Sequence, residues 1–577
     1  MKSLNTLPTL VLVLVLIGCS SSQPATTGSP TPAERDTTTA AETTEAQTSS
    51  SSDTTATQDK SAALSAAPQD WYRLGENSRH APGLATQSAH ETMLADRSPR
   101  DTVTVAIIDS GIDVDHEDLD GSMWRNGDEV PGNETDDDNN GYVDDVRGWN
   151  FIGGPDGENV DEDTYELTRI YARLRDRFAD VDSGKVAPEA RDAYQRFQEI
   201  KATFQEKRQQ AEKELTNVRK ARDAVQFSEK VLSNYLGTKT ITRAAVDTIS
   251  TSRQKVVRAR DILLYFYRQD LAPEDLYDYY DHLKTRVEYN YDPDFTPRSI
   301  VGDNYADKTE RIYGNNDVVG PDANHGTHVS GIVAAERNNG VGIDGVASGV
   351  RLLPVRAVPN GDERDKDVAN AIRYAVDNGA DVINMSFGKA YSPHKDVVDD
   401  AVRYADSLGV LMVHAAGNDG ENVDSTQNYP TRQYRDGGSA SLWIEVGASS
   451  WKQEPNLAAP FSNYGNETVD VFAPGHSIYS TVPDGEYGRN DGTSMAAPMV
   501  SGVAALIMAH YPDLTAAQVR EIILDTATSY ANVEVTRPGS SDDTVRFGRL
   551  SRTGSIVNAR DALERAGQMT DATTSTR

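Results

Sequence analysis

In the stretch NDGTSMAAPMVSGVAAL (residues 490–506), Gly492, Thr493 and Ser494 stand at the mouth of an apolar helix rich in small residues. A hydroxyl at such a place ordinarily caps the helix by accepting an orphan backbone N–H bond. It becomes a nucleophile only when the chain also supplies a base, an orienting acid and an oxyanion site. Candidates for all three occur at predicted element ends. In DTVTVAIIDSGIDVDHEDL the run Val103–Ile108 reads as a buried strand, and Asp109 follows at its carboxyl end, where functional groups gather in open α/β sheets. In DANHGTHVSGIVAAE, His325 and His328 open a packed helix without the spacing or the Glu of a zinc-binding H-E-x-x-H pair. His325 therefore reads as a base at the helix mouth and His328 as a structural residue one turn inside. The strand-like GVLMVHAAGND ends in Asn418, a neutral donor suited to a developing oxyanion. DVINMSFG ends in Ser386, Phe387 and Gly388, an edge on which an extended peptide can pair as a strand.

The blocks DSGI, HGTHVSG and GTSMAAP, in that order and with AAGN between the second and third, resemble those of the subtilases, the subtilisin-like serine peptidases. The resemblance covers about 103–151 and 302–530. It implies that Asp109 orients the imidazole, His325 is the base and Ser494 the nucleophile. Asn418 and the Ser494 N–H would form the oxyanion hole. Substrate is expected between Ser386, Phe387, Gly388 and Ala415, Ala416, Gly417, whose small side chains leave room for a large apolar group. The implied fold is α/β, a subtilisin-like parallel sheet with helices on both faces. The implied activity is a serine endopeptidase working on polypeptides through an acyl-enzyme, without a catalytic cofactor. The rival is a non-catalytic peptide-binding or assembly scaffold acting through an inserted helical segment. Four intact positions, Asp109, His325, Ser494 and Asn418, argue against it.

The elements that must position these residues are spread over 577 residues with a formal charge of −32, which makes nucleic acid an unsuitable partner. Half of that excess lies between Asp113 and Asp163, where eighteen acids face two arginines. Within it, NETDDDNNGYVDDVRGWNF alternates hard oxygen ligands around Gly141. The loop is read as a structural Ca²⁺ site using Asp136, Asp138, Asn140, Tyr142, Asp144 and Asp145, although Arg147 stands where a twelfth-position acid belongs.

The single cysteine, Cys19, follows a short apolar run in MKSLNTLPTLVLVLVLIGCS. The run has the shape of a signal-peptide core, and Leu16–Cys19 resembles a bacterial lipobox. Lipidation of Cys19 would anchor the protein to a membrane of the bacterial cell envelope, facing the periplasm or exterior. The expected organisation is a signal peptide (1–18), a disordered Ser/Thr/Ala/Pro-rich tether (19–68), a first catalytic part (69–160), a helical insertion (161–297), a second catalytic part (298–565) and a disordered tail (566–577). In the insertion Phe197, Phe204, Ala211, Val218, Val225 and Leu232 recur every seven residues, a coiled-coil-like seam interrupted at Gly237. Val246, Ile249, Val256, Ile262, Leu263 and Phe266 can fold back on it as a hairpin or small bundle.

Overall fold

The structure, a computed structural model, describes residues 67–75, 83–268 and 271–575. Cys19, the expected signal peptide and nearly all of the expected tether lie outside the described residues.

The β-branched runs form one nine-stranded sheet. Its strands are β1 (Val103–Asp109), β2 (Trp149–Asn150), β3 (Val350–Arg356), β4 (Val382–Met385), β5 (Leu411–Ala415), β6 (Trp443–Ser449), β7 (Val471–Pro474), β10 (Thr528–Ser529) and β13 (Ser555–Ile556). Two hairpins lie outside it, β8 (Ile478–Val482) with β9 (Glu486–Asn490), and β11 (Glu534–Thr536) with β12 (Thr544–Arg546). The order is β10-β13-β7-β6-β5-β4-β1-β3-β2. Neighbours run parallel except at one edge, where β10 pairs antiparallel with β13, so the sheet is mixed rather than wholly parallel. Strand β1 sits between β3 and β4, with Asp109 opposite Arg356 and Ile108 opposite Met385. The order of strands reverses there, and the crevice at their carboxyl ends is where a doubly wound sheet binds ligands.

Between β2 and β3 the chain makes a helical excursion: α1 (Glu166–Phe178), α2 (Arg191–Leu236), α3 (Arg243–Asp247), α4 (Gln254–Tyr267) and α5 (Pro273–Thr285). Helix α2 has 46 residues, which at 1.5 Å per residue is roughly 70 Å. All six seam residues of α2 are buried. Phe204 and Ala211 pack in a small core with α1, and Val218, Val225 and Leu232 in a larger one with α4 and α5. Gly237 caps α2 with φ +70°, the left-handed conformation that favours glycine. The two ends of the excursion are clasped. Asn290 Nδ2 donates to the Asp163 carbonyl at 2.8 Å, and the Asn290 carbonyl accepts from Tyr165 N at 3.1 Å and Thr168 Oγ1 at 2.8 Å. Buried charges fix the base against the sheet domain: Arg364 forks onto Asp163 at 2.6 and 2.9 Å, and Lys389 pairs with Asp365 at 2.8 Å.

The remaining helices cover the two faces of the sheet. Helices α6 (Asn324–Ala334), α9 (Thr493–His510), α10 (Ala516–Asp525) and α11 (Ala559–Ser575) share a core with Val103, Val105 and Ile107 of β1. Helices α7 (Asp365–Asp377) and α8 (Lys395–Ser407) pack on Ala106 and Ile108 from the other side. This is the period-2 alternation of a strand covered on both faces. Helix α9 is apolar and long enough to cross a membrane, but 89% of it is buried inside the protein as its central core helix. The disordered tail expected from 566 is corrected: α11 runs to Ser575, because Ala559, Ala562, Leu563 and Ala566 recur at helical spacing and face the core.

One contact brings α6 onto the end of β1. A Cβ on Gly326 would lie 2.1 Å from the Gly111 carbonyl oxygen and 3.2 Å from Asp109 Cβ. Only a residue without a side chain lets the helix approach this closely. Gly326→Ala is therefore expected to push α6 away from β1. The expected cost is about 1–3 kcal/mol of overpacking strain, with at least tenfold less reactivity of Ser494 toward a serine-directed probe. Thermal unfolding and labelling rate measure the two effects, and an unchanged labelling rate would show that the approach is not limiting.

Candidate active site

Each predicted residue sits where a regular element ends. Asp109 closes β1, His325 lies in the first turn of α6 and Ser494 in the first turn of α9. Asp109 is buried at 2% exposure, and its Oδ1 accepts from its neighbour's backbone N–H (Ser110) at 2.8 Å. The same oxygen lies 2.7 Å from His325 Nδ1. A carboxylate can only accept here, so Nδ1 carries the proton and Nε2 is left as the basic nitrogen. The imidazole side chain is 38% exposed, open to the cleft. Burial alone disfavours its charged form, but the charge and hydrogen bond of Asp109, with Asp322 nearby, outweigh that and raise its pKa above the usual 6.5. His328, one turn inside α6, is fully buried and bonds the Ile478 carbonyl at 3.1 Å. Burial holds it neutral, with a pKa lowered to about 3.

Ser494 Oγ donates to the Ser386 carbonyl at 3.0 Å. The Ser494 backbone is fixed from the other side. Ser386 Oγ donates to the Ser494 carbonyl at 2.8 Å, and Asn384 Nδ2 donates to Ser386 Oγ at 2.9 Å. Asn384 in turn accepts from Ser501 Oγ on α9 at 2.9 Å.

The orientation of Asn418 follows from its partners. Thr493 N–H can only donate, and it lies 2.9 Å from Asn418 Oδ1, which also accepts from Thr493 Oγ1 at 3.0 Å. The amide oxygen is thereby engaged and Nδ2 is turned the other way. Gly492 leaves the adjoining space open: a Cβ there would stand 3.4 Å from Ser494 N and 3.5 Å from Asn418 Nδ2. The nitrogens Ser494 N and Asn418 Nδ2 therefore both lie beside Gly492. Thr493, read from sequence only as part of the helix mouth, is the residue that aims Asn418.

The residues expected from sequence to face substrate fall in two segments, or walls, Ser386, Phe387 and Gly388 after β4, and Ala415, Ala416 and Gly417 at and after the end of β5. The room expected beside the small residues of the second wall is partly occupied. Asn428 spans the walls, donating from Nδ2 to the Ala415 carbonyl at 3.0 Å while its side-chain oxygen would lie 2.3 Å from a Cβ on Gly388. Sequence reading missed Asn428, because nothing local marks a residue that meets both walls only in the fold.

The acidic loop is organised differently from the expected ligand set. Asp144 spends its carboxylate on the backbone N–H groups of Gly132, Asn133 and Glu134, and Asp136 on those of Asn140 and Gly141. Tyr142 is packed in the core against Trp149 and Tyr374. Asn140 Nδ2 donates to Asp138 and Asp145 at 3.0 and 3.2 Å. The carboxylates that do converge are Glu129, Asp138 and Asp145, with ligand atoms within 4.8 Å of one another, and Glu129 Oε2 is buried without a partner. Three hard oxygen donors, one of them orphaned, form a cluster able to chelate a metal ion. Glu129 was missed because it lies outside the alternating motif.

The chain is 42% identical over 214 residues to Subtilisin NAT of Bacillus subtilis subsp. natto, an alignment covering 36% of this chain and 52% of that protein. It is 42% identical over 227 residues to a thermophilic serine proteinase of a Bacillus species (strain AK1), covering 39% and 50%. To the subtilisin of Bacillus pumilus it is 42% identical over 210 residues, covering 36% and 70%. The chain thus spans about half the length of the first two relatives and more of the third. The sequence pattern of the Subtilase family matches residues 100–548, from just before β1 to just beyond β12 and across the helical excursion. With that match over most of its length, and with Asp109, His325 and Ser494 at the ends of the elements described above, the chain belongs to the subtilase family.

Proposed function

We propose that this chain is a serine endopeptidase. Ser494 Oγ attacks the carbonyl carbon of a peptide bond as His325 Nε2 takes its proton. The oxyanion is received by the Ser494 N–H and Asn418 Nδ2. The imidazolium returns the proton to the leaving amine, giving an acyl-enzyme. A water molecule deprotonated by His325 then releases the acid and restores Ser494. The observation that carries this reading is the 2.7 Å contact of Asp109 with His325 Nδ1, which leaves Nε2 basic and turned to the cleft.

A fluorophosphonate should label Ser494, and Ser494→Ala should lose both labelling and peptide hydrolysis while keeping its unfolding temperature. Asn418→Ala should lower the rate on the order of 10²–10³-fold, the general magnitude for losing one oxyanion donor. Because the pKa of His325 is raised, and only its neutral form is a base, activity should fall as the pH drops through a value above 6.5. Absence of an adduct on Ser494 would leave the non-catalytic scaffold as the better reading.

The ion suited to Glu129, Asp138 and Asp145 is Ca²⁺ in a bracing role, since all three are hard oxygen donors and none belongs to the triad. A ligand that binds the folded state stabilises it in proportion to the logarithm of its excess over Kd. Chelation should therefore lower the unfolding temperature of the wild-type protein. Glu129→Gln should remove most of that calcium-dependent shift. A full shift retained in Glu129→Gln would place the ion elsewhere.

The relatives' similarity supports an extracytoplasmic location, and the Leu16–Cys19 motif supports lipidation of Cys19 as the means of anchoring. Cys19→Ser should move the protein out of the membrane fraction and block incorporation of labelled fatty acid. Unchanged fractionation would overturn the anchor.

A further inference from the structure

The helical excursion reverses the charge of the chain. Between Lys207 and Arg260 thirteen Lys and Arg stand against five acids, an excess of +8 in a protein whose formal charge is −32. Four of the five acids are already engaged. Glu212 pairs with Arg208 at 3.0 Å and Asp223 with Arg222 at 2.8 Å, while Glu214 and Glu229 accept from the hydroxyls of Tyr279 and Tyr277 on α5. Lys213, Arg219, Lys220, Lys230 and Arg258 are exposed and form no salt bridge among the described residues.

Their placement on the helices makes one face. Lys213, Lys220 and Phe227 each stand two positions after a buried seam residue of α2, about 200° round the helix and so on its outer side. Phe227 is 53% exposed. Its ring is flanked by α4, with Lys255 Nζ 5.0 Å from the ring centroid, and Arg258 follows Lys255 by one turn. Lys230 lies one turn beyond Phe227 on α2. An exposed aromatic ring is thus set among cations that extend roughly 25 Å along α2, from Lys213 to Lys230. The acids of this lobe are gathered on a different helix, at Glu274, Asp275, Asp278 and Asp281 of α5.

We propose that this face of α2 and α4 docks on an anionic lipid bilayer, with its cations against the head-group phosphates and Phe227 at the boundary of the acyl chains. Each Lys or Arg held near such a surface adds to binding, and an aromatic ring is suited to the head-group level. A plane can meet the whole outer side of a helix at once. The other acidic surface at hand is a second copy of the chain, but the acids of its richest stretch are already occupied. Asp136 and Asp144 hold backbone N–H groups, and Asp138 and Asp145 converge with Glu129. The proposal stands apart from the endopeptidase reading and needs no lipid on Cys19. Because the excursion is clasped to the sheet domain through Asp163 and Asn290, docking of this face would also orient the catalytic domain on the membrane.

The test is co-sedimentation of the full chain with vesicles, in a Cys19→Ser background so that no acyl chain contributes. Binding should be at least about tenfold tighter to phosphatidylglycerol and phosphatidylcholine in equal parts than to phosphatidylcholine alone. That margin should shrink at high salt. Lys213→Glu/Lys220→Glu/Lys255→Glu should abolish the margin, and the milder Lys213→Gln/Lys220→Gln/Lys255→Gln should cut it at least about threefold. Phe227→Ala should weaken binding to the anionic vesicles while leaving its salt dependence in place. The unfolding temperature, measured for each variant, shows that the lobe is intact. Equal binding to the two kinds of vesicle, or a full margin kept by the folded Gln variant, would overturn the lipid surface. Salt-sensitive self-association in sedimentation velocity, without a preference for anionic vesicles, would assign the face to a second copy and overturn it as well.

Discussion

The hydrogen bond between Asp109 and His325 joins residues 216 positions apart, and the rest of the molecule can be understood as what makes that bond possible. It needs β1 to end in the crevice and α6 to begin there. It also needs the two backbones to come closer than any side chain allows, which Gly326 permits against the Gly111 carbonyl. The apolar content of β1 and α6 supplies the drive, since Val105 and Ile107 share a core with Val329, Ile332 and Val333. The polar pair is then held at the rim of a rigid core. An interior of native packing density does not deform gradually, so the separation of acid and base is set by the fold itself.

The nucleophile side is held by polar contacts instead. Ser501, Asn384 and Ser386 form a chain from the middle of α9 to the Ser494 carbonyl, and Thr493 engages the oxygen of Asn418. Each of these groups is satisfied by another that is itself fixed, which makes such networks specify one geometry. The orientation of Asn418 beside Ser494 is consequently set by contacts within the fold.

Asp109, His325 and Ser494 could be singled out in sequence because each lies in a short motif at the boundary of a strongly patterned element. Val103–Ile108 reads as a strand whatever surrounds it, and Asp109 follows directly. The seam of α2 was legible for a similar reason: burial of every seventh residue leaves a period in the sequence, although nothing in it names α1, α4 and α5 as the partners. In the acidic loop Asp138 and Asp145, two of the six expected ligands, converge with Glu129, while Asp136 and Asp144 bond backbone N–H groups, because alternating Asp and Asn serve two chemistries. Oxygen at every second position can ligate a cation, or accept the N–H two residues on, as Asn140 does for Tyr142 and Asp138 for Asn140. Glu129 and Asn428 reach their places by long-range approach and leave no local trace.

The clasp at the base of the helical excursion has a consequence for how this chain can vary. Asp163 and Asn290 are 127 positions apart in sequence and joined by a hydrogen bond in space. The host therefore meets the excursion as it would meet an ordinary surface turn, whatever its length. For a flexible connection, each doubling of length adds only about 0.6 kcal/mol of closure entropy, and a segment with its own hydrophobic cores pays even that internally. The junction acts as a socket whose rim includes Glu166 and Arg169, which bond Asp362 and Glu363 of the sheet domain; the material beyond them is joined to the host through that rim.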